Sequence, residues 1–226
     1  MLFYREFFMA KQNKILLFGG TFNPIHNGHL IMAQEAVEAF GFDEVIFIPS
    51  ATPPHKIDVL SVYHRLKMVK LATEGVDYFK VSNVEEKREG PSYTYDTVMH
   101  FREEYPDSEI SWLIGTDSIP ELKTWYKIKE LVHECQFIIA ERDPYKFYKG
   151  HYGDMFGFIL EECEEFTNGD ITNYFKPLVN SVVEISSTDI RHRIEKEEKY
   201  AVKFLVPEKV EKYIYDHNIY RYKPQD

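Results

Sequence analysis

Residues 14–34 read KILLFGGTFNPIHNGHLIMAQ, and the fold is decided there. Ile15-Leu16-Leu17-Phe18 is an apolar run of the length of a buried strand. It breaks at Gly19-Gly20, passes through a polar turn at Asn23-Pro24, and resumes with helical composition at Leu30-Ile31-Met32-Ala33. A strand that stops at a glycine pair and restarts as a helix is expected to leave backbone N–H groups free at the helix start, where the dipole favours anions. His26 and His29 are three positions apart, so both imidazoles are expected on one helix face, aimed at the same anion. Each signal has a bland reading: glycine pairs are common turns, and two spaced histidines are more often surface or core residues. No third ligand lies near enough to suggest zinc. A P-loop G-K-[ST] and the dinucleotide fingerprint G-x-G-x-x-G are both absent.

Composition narrows the classes. The 226 residues suffice for one or at most two domains with a full core. Hydrophobic and charged fractions of 44% and 28% are those of a globular protein in water. Twenty-seven basic residues against 37 acidic ones leave a net charge of −10, which speaks against nucleic-acid binding and against anionic membranes. Small phosphates remain accessible to such a chain if cations converge locally. Cys135 and Cys163 are too few for a disulfide framework and suit a reducing, cytoplasmic compartment. No apolar run approaches membrane-spanning length. The start, MLFYREFFMAKQNK, lacks the plan of a secretory signal. Its aromatic residues either cover a neighbouring surface or precede a working domain that begins near Met9.

Beyond the opening unit the chain alternates. A helix is expected to Phe40 with Gly41 as its C′ residue, then a strand at Glu44–Ile48 closed by Pro49. Ser50 to Lys56 follows that strand's carboxyl end, the edge where open α/β sheets gather ligands. Pro53-Pro54 stiffens the loop, so Lys56 is either held toward a phosphate or simply solvated. Val62–Thr73 has helical spacing with Leu66, Met68 and Val69 inward. Phe79–Val84 alternates as a strand, Glu85–Gly90 is a charged connection, and Thr94 is placed to cap a helix over 95–104. Ile110–Ile114 is a strand ending at Gly115-Thr116-Asp117. Asp117 is either an N-cap or an acceptor for a ribose hydroxyl or hydrated metal ion. Gln136–Ala140 is a further strand. Residues 144–177 resist assignment, although their aromatic content argues against disorder. Val182–Ile185 reads as a returning strand that Ser186–Arg191 turns into a helix, with Ser186 and Asp189 fitting a capping pattern or, with Arg191, a polyphosphate site. Pro207 suits the first turn of a helix over 208–216. The sum is an α/β chain: an open parallel sheet flanked by helices, with a small C-terminal helical part.

GGTFNPIHNGHL (residues 19–30) resembles the signature G-x-F-[DN]-P-x-H-x-G-H of adenylyl- and cytidylyltransferases. Together with ISSTDIR (185–191) it resembles the bacterial nicotinate-nucleotide adenylyltransferases. PSATPPHK, PSYTYDTV, the GTD…LKTWY stretch and LVPEKVEKYIYDHNIY carry the likeness over most of the chain from Lys14 onward. The resemblance implies a Rossmann-like fold that joins ATP and nicotinate mononucleotide into deamido-NAD and pyrophosphate, with Mg²⁺ accompanying ATP. It implies a phosphate site of Gly19, Gly20, Thr21, Phe22 and Gly28, with His26, His29, Lys56 and Arg191 acting on the phosphates. Ser187 and Thr188 close round ATP from the other wall, and Gly115 and Asp117 lie near the adenosine. Thr94, Trp125 and Tyr126 receive the nicotinate ring and its carboxylate. No residue is directly assigned to the metal. Residues 1–13 are an extension, residues 14–226 one domain, and about 146–180 an extended segment; both departures leave room for a homo-oligomer. A sister enzyme using nicotinamide mononucleotide or another phosphorylated acceptor, and a non-catalytic nucleotide-binding module, are the alternatives.

Overall fold

The structure, a computed structural model, describes residues 12–53, 59–141, 152–167, 171–181, 183–198 and 200–221. Six parallel strands form one sheet in the order β3-β2-β1-β4-β5-β6. They are β1 (Lys14–Gly20), β2 (Glu44–Pro49), β3 (Phe79–Val81), β4 (Glu109–Gly115), β5 (Gln136–Ala140) and β6 (Phe175–Leu178). The helices are α1 (Asn27–Phe40), α2 (Val62–Thr73), α3 (Val84–Lys87), α4 (Thr94–Glu104), α5 (Ile128–Glu134), α6 (Tyr152–Thr167), α7 (Ser187–Glu195) and α8 (Glu208–Asp216), with a 3₁₀ segment at Thr116–Thr124.

Strands covered on both faces read as continuous apolar runs, and alternate residues serve the two layers. Leu16 and Phe18 of β1 pack with Ala33 and Ala36 of α1, Met68 and Val69 of α2, Ile190 of α7 and Val210 of α8. Ile15 and Leu17 face the opposite layer, with Val98 and Phe101 of α4, Leu131 of α5 and Cys163 of α6. Gly41 ends α1 in the left-handed region at φ 67, where a side chain would be strained.

Two expectations are corrected. Val183–Ile185 is irregular, and the sheet's sixth strand is β6, from the stretch that resisted assignment. Short and carrying Lys176 and Pro177, β6 is an edge strand, where proline's missing N–H is tolerated. Thr94 does not cap α4: Tyr93 is the N-cap and Thr94 the first helical residue. Lys56 and residues 146–151 lie outside the described residues.

Strand order runs outward from β1 one way and from β4 the other, so the switch point falls between these two strands. Ligands of open α/β sheets bind beyond the carboxyl ends at such a point. Here those ends are Gly19-Gly20 and Gly115.

Candidate active site

A cleft of about 610 Å³ opens at that switch point. One wall is the turn after β1: Gly19, Gly20, Thr21, Phe22 and Asn23, with His29 from α1. The facing wall is the start of α7, with Ser187, Thr188 and Arg191, and Gly115 and Asp117 close the side beyond β4. Thr94 and Trp125 line the remaining end.

Direct hydrogen bonds fasten the two walls across more than 160 residues of sequence. Ser187 Oγ donates to the Pro24 carbonyl at 2.8 Å, and Arg191 Nη1 to the Asn23 carbonyl at 2.8 Å. Arg191 Nη2 reaches Thr188 Oγ1 at 3.2 Å. Tyr220, just beyond α8, donates its hydroxyl to Asn23 Oδ1 at 2.7 Å. Burial pushes the Tyr220 phenol above its ordinary range while Arg191 and Arg65 pull it back, so it stays a donor at neutral pH. Ser186 is the N-cap of α7, accepting from the Thr188 amide at 3.2 Å. Asp189 instead pairs with Arg193 at 2.7 Å.

The two histidines play unequal parts. His26 is the N-cap of α1 rather than part of it, so the shared-face expectation fails: its ring is 2% exposed and does not line the cleft. It stacks on His29 with centroids 3.6 Å apart, while Phe22 meets His29 edge-on at 5.1 Å. His29 Nδ1 accepts the His26 amide at 3.2 Å. A neutral imidazole whose Nδ1 accepts carries its proton on Nε2, which makes Nε2 the donor nitrogen of the His29 ring. The first turn of α1 offers fewer amides than the sequence suggested, because Asn27 N–H is spent on the Leu205 carbonyl at 2.8 Å and His29 N–H on His26 at 3.0 Å. Gly28 lies beside His26, outside the main cleft.

The turn itself is tight. Phe22 adopts φ 46, a conformation costing a bulky residue about 1–3 kcal/mol. A Cβ on Gly19 would overlap the indole of Trp112. Gly19→Ala is therefore expected to cost about 1–3 kcal/mol of stability, the usual penalty of overpacking; urea unfolding checks it, and an unchanged midpoint would contradict the packing argument.

At the far end Trp125 is half-buried at the cleft, whereas Tyr126 is 43% exposed and stacks on Tyr93 at 4.6 Å, off the lining. Two residues escaped the sequence reading. Arg65 of α2 is 1% exposed and donates to three carbonyls: Leu60 at 2.7 Å, Thr21 at 2.8 Å and Ala51 at 3.3 Å. Glu85 of α3 is 4% exposed and lines the cleft. A signal for Arg65 existed, since it shares the inward face of α2 with Met68 and Val69 at i+3 and i+4. Glu85 carried none within its charged run.

Among the described residues no three His, Cys, Asp or Glu side chains converge on a metal position. Asp117 is an exposed carboxylate at the cleft.

The cytidylyltransferase-like family profile matches residues 17–193. The nicotinate-nucleotide adenylyltransferase of Bacillus subtilis (strain 168) is 38% identical over 209 residues, covering 92% of this chain and 98% of its own. A probable nicotinate-nucleotide adenylyltransferase of Clostridium botulinum (strain Langeland) is 39% identical over 214 residues, covering 92% and 99%. Among solved structures, Plasmodium falciparum nicotinic acid mononucleotide adenylyltransferase complexed with NaAD superposes with a TM-score of 0.74 over 95% of this chain and 100% of that one; at 20% identity this likeness speaks for the fold.

Proposed function

We propose, from the premise that this chain belongs to the nicotinate-nucleotide adenylyltransferases of the cytidylyltransferase-like family, that it transfers the adenylyl group of ATP to nicotinate mononucleotide, giving deamido-NAD and pyrophosphate in NAD biosynthesis. The observation that carries this reading is the joining of the Asn23-Pro24 turn to Ser187 and Arg191 at the mouth of one cleft.

The mononucleotide phosphate is already a nucleophile at neutral pH, so no side-chain nucleophile is needed. Its oxygen attacks the α-phosphorus in line, and the bond to the pyrophosphate oxygen breaks. The protein's work is positioning and stabilisation of charge that grows on the phosphates. His29 Nε2–H, the Arg191 guanidinium, the Thr188 hydroxyl and the positive end of α7 are the donors in place. Gly19, Gly20, Thr21 and Phe22 shape the phosphate turn, while His26 supports His29 from below and Gly28 leaves room for His26. Mg²⁺ bound with ATP would supply further neutralisation of the phosphates, and Asp117 is the cleft carboxylate that would help to hold it. Trp125 stacks the nicotinate ring and Thr94 serves its carboxylate, together with a backbone N–H near Tyr126. Lys56 is assigned to the phosphates from the sequence alone.

One domain over residues 14–226, preceded by an extension, is part of this reading. So is a cytoplasmic setting, with which the free, buried Cys135 and Cys163 accord; no helix among the described residues is long and apolar enough to cross a membrane.

Mixing the pure protein with ATP, Mg²⁺ and nicotinate mononucleotide is expected to release pyrophosphate, and nicotinamide mononucleotide to be a much poorer acceptor, since donors built for a carboxylate are left unsatisfied by an amide. Equal efficiency on both would remove the acid-specific part, and no release on either would remove the enzymatic reading.

A further inference from the structure

Arg65 and Glu85 are among the few charged side chains the fold buries, at 1% and 4% exposure, and nothing in the phosphate or ring chemistry above uses them. Buried charges without a catalytic part are costly unless their bonds do something. Here they converge on one residue, Ala51. Arg65 Nη2 donates to the Ala51 carbonyl at 3.3 Å, and the Ala51 amide lies near enough to the Glu85 carboxylate to favour its charged form, against the larger effect of burial. Burial lowers the Arg65 pKa and raises that of Glu85, and the Glu85 charge offsets part of the effect on Arg65.

Both residues extend outward to the two halves of the cleft. Arg65 Nη1 holds the Thr21 carbonyl in the phosphate turn at 2.8 Å. Glu85 Oε1 accepts from Thr97 Oγ1 of α4 at 2.8 Å, and Arg88 donates to the same hydroxyl at 3.0 Å. Between them the loop is stitched to the Ser92 wall, with the Thr52 amide on Ser92 Oγ at 3.1 Å and the Ser92 amide on the Thr52 carbonyl at 3.0 Å. Glu85 Oε2, by contrast, has no aligned hydrogen bond among the described residues, although the Ser92 hydroxyl and Ala51 amide stand near it.

We propose that Arg65 and Glu85 act as a coupled pair of positioning residues: through the Ala51 loop they set the phosphate turn at Thr21 against the acceptor wall at Ser92–Thr97. The pair governs the distance between the attacking phosphate and the α-phosphorus. Arg65 lies off the cleft lining, while Glu85 reaches it. Misplacement of about 1 Å by a change away from the chemistry can cost about 10²-fold in rate.

This inference rests on the adenylyl-transfer reading, and wild-type turnover tests that reading separately. Arg65→Met and Glu85→Gln are each expected to lower kcat by about 10- to 100-fold, while ATP affinity, measured by calorimetry without acceptor, stays near the wild-type value. Because the two act through one loop, the double variant is expected to lose little more than the worse single one. Should Arg65→Met fail to fold, Arg65→Lys takes its place: it keeps the charge but loses the three-way fork, and it too is expected to lower kcat. The proposal is overturned if the losses multiply, if ATP affinity falls in step with kcat, or if the variants lose only stability and turn over at the wild-type rate. Each of those results is compatible with an active wild-type enzyme.

Discussion

His29→Ala is expected to leave a folded protein whose turnover of ATP and nicotinate mononucleotide falls by about 10²–10³, the usual consequence of deleting one preorganised donor. The fold should survive because the ring is only half-buried, stacked on His26 and set edge-on to Phe22. The loss should fall mainly on kcat, because negative charge on the phosphates grows as the leaving bond stretches, and an N–H already aimed there gains most at that moment. His29→Gln keeps an amide donor and should recover part of the loss. Steady-state kinetics checks this; near-normal turnover by a folded His29→Ala protein would reject the role.

Arg191→Ala is expected to lower turnover by a similar factor, about 10²–10³, for two reasons that a second variant separates. The guanidinium brings a cation to the cleft, and it also holds the Asn23 carbonyl and Thr188, joining one wall to the other. Arg191→Lys keeps the charge but replaces the planar fork by a single ammonium. If charge dominates, the lysine variant should recover most of the rate. If the joining of the walls dominates, it should behave like alanine. Wild-type kinetics in both variants would show that the start of α7 takes no part in transfer.

Much of the architecture was legible because parallel strands covered on both faces leave unbroken apolar runs: β1, β2, β4 and β5 were placed within a residue or two. β6 was not, since its sequence F-K-P-L has neither alternation nor a run, and only the open edge of β5 makes it a strand. The reverse error, a strand expected at Val182–Ile185, arose from three apolar residues interrupted by one acid; Val183–Ile185 takes no strand. Both walls of the cleft were readable because each is a strand-end or chain turn followed by a capped helix, with unusual side chains at fixed offsets. The equivalence of His26 and His29 was misjudged, since i and i+3 share a face only when both are helical, and His26 is the cap. Arg65 and Glu85 were passed over because charge ordinarily signals exposure; their burial is set by loops that come together only in three dimensions.

The central claim is that two distant segments, one carrying His29 and the other Arg191, grip the same triphosphate. The most direct measurement is a crystal structure of the protein with Mg²⁺ and a non-hydrolysable ATP analogue. The account predicts phosphate oxygens within hydrogen-bond reach, about 2.7–3.2 Å, of both His29 Nε2 and the Arg191 guanidinium. A triphosphate seated elsewhere, or touching only one of these two walls, would contradict it.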